Sequence, residues 1–130
     1  MTAYIDPDRE NWAVFKSLPR DRPIHMLNLI KLRGLAEYPE GHALHGKGLT
    51  GAEAYAIYEQ RFQELVADDG AAMVWEAPLE CTVTGPADEW DKAFVMGYPN
   101  AGVFMAMVKN EEYVRDALPH RTAAVADSRL

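Results

Sequence analysis

His120 is the one residue of a candidate polar set whose reference pKa, near ~6.5, suits proton transfer at neutral pH, and Arg121 follows it directly. Asn28 sits inside the apolar run Met26-Leu27-Asn28-Leu29-Ile30, where a buried amide needs partners for two donors and an acceptor. Tyr55, Trp75 and Trp90, with Tyr58 and Asp91, supply aromatic and polar surface elsewhere. Taken together, these residues would line a pocket with an aromatic wall, one amide, one guanidinium and one titratable imidazole. That lining suits a small polar or aromatic ligand. In such a pocket His120 would abstract a proton, while Asn28 or Arg121 would stabilise the resulting enolate or phenolate. Each residue also has a plain structural role open to it. Asn28 can satisfy backbone, the tryptophans can be core, and Arg121 can pair with Asp91 or Asp127.

Other chemistries find less support. Gly46-Lys47-Gly48-Leu49-Thr50-Gly51 has the spacing of a dinucleotide fingerprint. That fingerprint works only on a tight turn from a parallel strand into a helix, and here a long loop intervenes. The glycines, Lys47 and free helix amides could still hold an anion. His42 and His45 lie three apart but have no third ligand at useful spacing, so no metal is expected. Haem would need His25 or His120 as axial ligand, with nothing further to support it. No cofactor is expected. Cys81 lacks a His or Asn at a known spacing, Ser17 and Ser128 sit in no nucleophile elbow, and Glu76 and Glu80 read as a solvated strand face.

The composition narrows the function classes. At 130 residues, 48% hydrophobic and 25% charged, the chain reads as one globular domain, residues 1–130. A net charge of -7 argues against nucleic acid or an anionic membrane as partner. A lone cysteine fits a reducing compartment, and neither a membrane span nor a signal peptide is read, so a cytoplasmic location is expected.

These residues must be positioned by the elements between them. Asp6-Pro7-Asp8 reads as a helix start, followed by the stripe Trp12, Phe15, Leu18. Residues 24–33 read as a strand apolar on both faces, and so central in a sheet. The loop Gly34–Gly48 is long enough to be mobile or functional. Thr50-Gly51-Ala52-Glu53 is a capping box opening a helix that Gly70 ends. Period two returns over 72–84, with Met73, Trp75 and Ala77 on one face, Val74 and Glu76 on the other, and Pro78 marking an edge or bulge. A third strand spans 92–98. Helical segments open at Pro99-Asn100 and Asn110, Pro119 is expected to end the second, and Arg121–Leu130 reads as the last strand. Behind a leading helix (an extension over 1–22), the order is βαββαβ. That is the ferredoxin-like α+β arrangement: a four-stranded antiparallel sheet with its helices on one face. The other face needs a cover, and a second copy of the chain is the economical one.

Met26-Leu27-Asn28-Leu29, Trp90-Asp91-x-Ala93, Tyr98-Pro99-Asn100, Phe104-x-x-Met107, Glu112-Tyr113 and His120-Arg121-x-Ala123-Ala124 through Asp127-Ser128-Arg129-Leu130 fall in one order over residues 23 to 130. This resembles an uncharacterised bacterial family of the dimeric α+β-barrel superfamily. The second helix departs from that pattern at Asn100-Ala101-Gly102, where the family has a Ser start. The resemblance implies a homodimer whose sheets close into a barrel, with a small-molecule pocket between sheet and helices of each subunit. Relatives in that superfamily include cofactor-free quinone-forming monooxygenases, muconolactone isomerases, haem-degrading enzymes and binding-only modules. The expected function is small-molecule binding in a sheet–helix cleft, its catalytic form a cofactor-independent monooxygenase or isomerase of an acidic or aromatic metabolite. The alternative is a non-catalytic ligand-binding or stress-associated dimeric module.

Overall fold

The computed structural model describes residues 3–130. The elements run α1 (Arg9–Lys16), β1 (Ile24–Leu32), α2 (Gly51–Val66), β2 (Ala72–Pro78), β3 (Lys92–Tyr98), α3 (Ala101–Lys109), a π-helical turn (Tyr113–Ala117), α4 (Leu118–Ala124) and β4 (Val125–Arg129). The fold is α+β, with four strands in one antiparallel sheet ordered β2-β3-β1-β4.

Strand β1 is internal, flanked by β3 and β4, because its side chains are apolar on both faces. Asn28 lies opposite Phe94, and Ile30 lies between Lys92 and Ser128. These residues point towards the helices, where Ile30, Phe94, Met96 and Tyr98 join Tyr55, Tyr58, Met107 and Tyr113 in the core. The opposite face carries His25, Leu27, Leu29 and Val95, and no element among the described residues covers it; Leu27 is 54% exposed.

Helix α2 starts as its sequence dictates. Thr50 Oγ1 accepts from Glu53 N at 3.1 Å, and the Glu53 carboxylate accepts from Thr50 N at 3.0 Å. That reciprocal cap takes the amides of Thr50 and Glu53, and Gly51 N donates to Arg33 O. Gly51 is pressed against the end of β1: a Cβ there would sit 2.1 Å from the Arg33 carbonyl oxygen. Helix α1 is capped by Asp8, not Asp6. It docks through Trp12 and Phe15 onto Phe104 of α3, with ring centroids 6.2 and 5.4 Å apart.

Two elements differ from the sequence expectation. β2 ends at Pro78 and carries a bulge between Met73 and Trp75. The extra residue breaks strict alternation. Val74 therefore lies against Gly97 and His25, and Trp75 lies opposite Val95, both on the open face, while Glu76 turns to the helix side opposite Phe94. The second correction concerns Pro119, Arg121 and the last strand. Residues 118–124 are helix α4, and β4 begins only at Val125. Pro119 starts this helix because its missing N–H costs nothing in the first turn. Upstream, the backbone widens into the π turn, with Leu118 N donating to Tyr113 O, which accommodates a ring that would otherwise crowd the preceding turn.

Candidate functional site

The residues singled out in the sequence fall into three separate environments. The first is the layer between sheet and helices. Asn28 is buried there, its Nδ2 donating to Met26 O at 3.1 Å and its Oδ1 without a partner among the described residues. Tyr55 is 2% exposed, with Lys92 Nζ 5.5 Å from its ring centroid. Lys92 is itself held by Glu59 at 2.7 Å and Glu76 at 3.5 Å. Arg121 enters from α4, half-buried, with Nη1 on Ile5 O at 2.6 Å and Nη2 on Ser128 Oγ at 3.3 Å. No carboxylate pairs with it among the described residues. Asp91 accepts from Leu32 N and faces Lys31, and Asp127 holds Arg129 and Tyr4 N. Burial raises the hydroxyl pKa of Tyr55, Tyr58 and Tyr113 above the ordinary phenol value, and the Arg121 charge partly opposes this at all three. Tyr58 and Tyr113 hydroxyls lie 3.2 Å apart. The N-terminal segment is tied to the edge of this layer, where Ser128 Oγ donates to Tyr4 O at 2.7 Å.

The second environment holds His120. Helix geometry turns consecutive side chains by about 100°, so His120 and Arg121 diverge. His120, 9% exposed, lies with Nδ1 2.7 Å from Tyr38 Oη. Tyr38 stacks on His42 at 4.6 Å, and its carbonyl accepts from His45 Nδ1 at 2.8 Å. His42 and His120 line a cleft of about 450 Å³ with Arg61, Glu64, Arg115 and Asp116. Burial first, then the neighbouring His42 and Arg61, push the His120 pKa below 6.5, with Asp116 opposing. The imidazole is therefore neutral at pH 7. The loop is fastened to α4 by Glu37 N on Ala123 O and Arg33 N on Ala124 O.

The third environment is the open sheet face. Trp75 is 51% exposed there, and Trp90 stacks beneath the Arg129 guanidinium at 5.1 Å. The structure thus brings Asn28, Tyr55 and Arg121 into one layer, sets His120 in another cleft, and leaves Trp75 and Trp90 outside both. Sequence reasoning missed Tyr38, Arg61 and Asp116. It weighed His42 only as a metal ligand. The length of the Gly34–Gly48 loop was the available signal. Among the described residues, no group of three or more His, Cys, Asp or Glu side chains is placed to hold a metal ion. No helix among them is long and apolar enough to cross a membrane.

Comparison with known proteins places the chain among proteins without assigned activity. It matches the crystal structure of a protein of unknown function from Rhodopseudomonas palustris at 42% identity and TM-score 0.86, over 98% of this chain and 93% of that one. A crystal structure of the methylated form of that protein matches at 43% identity and TM-score 0.87, over 99% and 92% of the two chains. The chain belongs to the family of this Rhodopseudomonas protein. No described family profile and no functionally curated protein matches it.

Proposed function

We propose that this chain is a small-molecule-binding protein whose ligand is acidic or phenolic and lies between sheet and helices, against Arg121, Asn28 and Tyr55. The observation that carries the reading is Arg121, a half-buried guanidinium with only neutral oxygens on it among the described residues. A carboxylate or phenolate would replace the neutral Ile5 carbonyl with an anionic acceptor, adding an ion pair that a carboxylate can make bidentate. The unpartnered Asn28 Oδ1 would take a donor from the ligand.

The same reading takes the assembly to be a ferredoxin-like dimeric α+β barrel. Leu27, Leu29, Val74, Trp75 and Val95 support it by giving the uncovered sheet face an apolar surface that a second copy would bury. Sedimentation at micromolar concentration should give about twice 14.6 kDa, and a stable monomer would end the barrel reading. The cytoplasm suits the exposed thiol of Cys81.

The binding test is a thermal-shift series with benzoate and 4-hydroxybenzoate against the neutral methyl benzoate. Stabilisation by the acids that Arg121→Lys removes supports the proposal. Equal shifts for acid and ester in both proteins would make Arg121 a structural clamp for the N-terminal segment. Incubation with hydroquinones or enol lactones under air separates an enzyme from a binding module.

A further inference from the structure

We propose that the His120 cleft is a second ligand site, independent of the Arg121 layer, which takes a small monocarboxylate bearing a neighbouring carbonyl or hydroxyl. Three polar groups make the case. His42 Nδ1 accepts from Leu44 N at 3.0 Å, so the ring's N–H is on Nε2, a donor with no protein acceptor among the described residues. On α2, Arg61 has Glu64 as partner at 3.7 Å, beyond a charge-assisted hydrogen bond, and both side chains are about half exposed. By contrast, Arg115 is locked onto Asp116 by two bonds of 2.9 and 2.8 Å, so its charge is already matched. Arg61 is therefore the available guanidinium, and with His42 Nε2–H it can hold one carboxylate.

His120 supplies the third contact. Its Nδ1 is committed to Tyr38 Oη, which leaves Nε2 as its remaining polar atom. If the phenol donates to Nδ1, Nε2–H is a donor; if Nδ1–H donates to the phenol oxygen, Nε2 is an acceptor. A hydroxyl or phenol can serve either way. The cleft can thus meet a ligand carbonyl with a donor or a ligand hydroxyl with an acceptor, without changing its net charge. The size fits: about 450 Å³ lies in the range of small-molecule sites. The charge sets an upper limit on the ligand. Arg61 and Arg115 share the cleft lining with Glu64, Glu112 and Asp116, three acids to two guanidinia, so a polyphosphate or tricarboxylate meets more repulsion than attraction.

Imidazole resonances of the full chain, followed by NMR during titration with pyruvate, lactate and methyl pyruvate, test the site. Pyruvate and lactate should shift His42 and His120 saturably at millimolar concentration, and the ester should not. Arg61→Gln should weaken the acids roughly tenfold, the loss of one charged contact. His42→Phe keeps the stack on Tyr38, removes Nε2–H and should weaken them several-fold. Arg121→Lys should leave these titrations unchanged, which separates this site from the one proposed above. Because Arg61 is on the surface, its variant should keep the parent Tm. The proposal is overturned by pyruvate shifts that persist undiminished in Arg61→Gln, by equal shifts with the ester, or by no saturable shift.

Discussion

Tyr38 Oη and His120 Nδ1 are 2.7 Å apart although 82 residues separate them in the chain. This bond pins the Gly34–Gly48 loop to α4 from inside, while Glu37 N on Ala123 O pins it along the backbone. Removing the phenol oxygen would leave a buried ring nitrogen unpartnered, at a cost of about 1–3 kcal/mol. Tyr38→Phe should therefore lower stability by about that amount in urea unfolding. It should also raise amide exchange in the loop more than in the sheet. A Phe variant with parental stability would mean that water replaces the hydroxyl without loss.

The same imidazole makes stability depend on pH. The folded His120 pKa lies below 6.5, so the unfolded chain takes up its proton first as the pH falls. Stability contributed by the neutral ring is complete above about pH 6.5 and declines below it, until the folded value is passed. His120→Gln should flatten Tm against pH in that window. At the other extreme, burial raises the phenols of Tyr55, Tyr58 and Tyr98. Stability should fall as the pH rises above about 10, where the unfolded tyrosines ionise first. Calorimetry across the full range checks both arms.

Much of this frame is readable in the residues, and the failures have physical causes. Two-sided apolarity marks β1 as an internal strand, and the Thr50–Glu53 pairing marks the start of α2, because both signals are local. Period two groups Met73 with Trp75 and Val74 with Glu76, and both pairs part because a one-residue bulge reverses parity and leaves no mark in the pattern. Arg121–Ala124 read as strand because small and β-branched residues suit both states, and because Pro119, which reads as a helix stop, lies in the first turn of α4. The His120 cleft was invisible for a different reason. Loop residues such as Tyr38 and His42 follow no period, and only the folded chain sets them against α4.

Gly51 offers a sharper test of the packing. A methyl group there would meet the Arg33 carbonyl oxygen at 2.1 Å, its nitrogen at 2.8 Å and its carbonyl carbon at 2.9 Å. These are backbone atoms at the end of β1 and cannot rotate away. Gly51 N also donates to that carbonyl, so a shift breaks the bond that seats the helix start. Gly51→Ala should cost about 3 kcal/mol, the upper end of overpacking, despite the better helix propensity of alanine. The denaturant midpoint would show it, and a gain in stability would mean that α2 can slide.

Asn28 decides what the interior layer is for. A buried amide is expensive unless its donors and acceptor are met; here Nδ2 bonds Met26 O, while Oδ1 has no protein partner among the described residues and reaches solvent. Leucine has nearly the same volume and no polar atoms. If the amide serves only the fold, Asn28→Leu strands the Met26 carbonyl and should cost about 1–3 kcal/mol. If it is kept for a ligand, burying a leucine side chain in place of an amide whose oxygen reaches solvent offsets that loss, and stability should stay within about 1 kcal/mol of the parent. The second outcome is expected, together with loss of the benzoate-induced thermal shift and an unchanged pyruvate titration of His42. Binding that survives in a variant of parental stability would take Asn28 out of the site and leave Arg121 and Tyr55 as its polar groups.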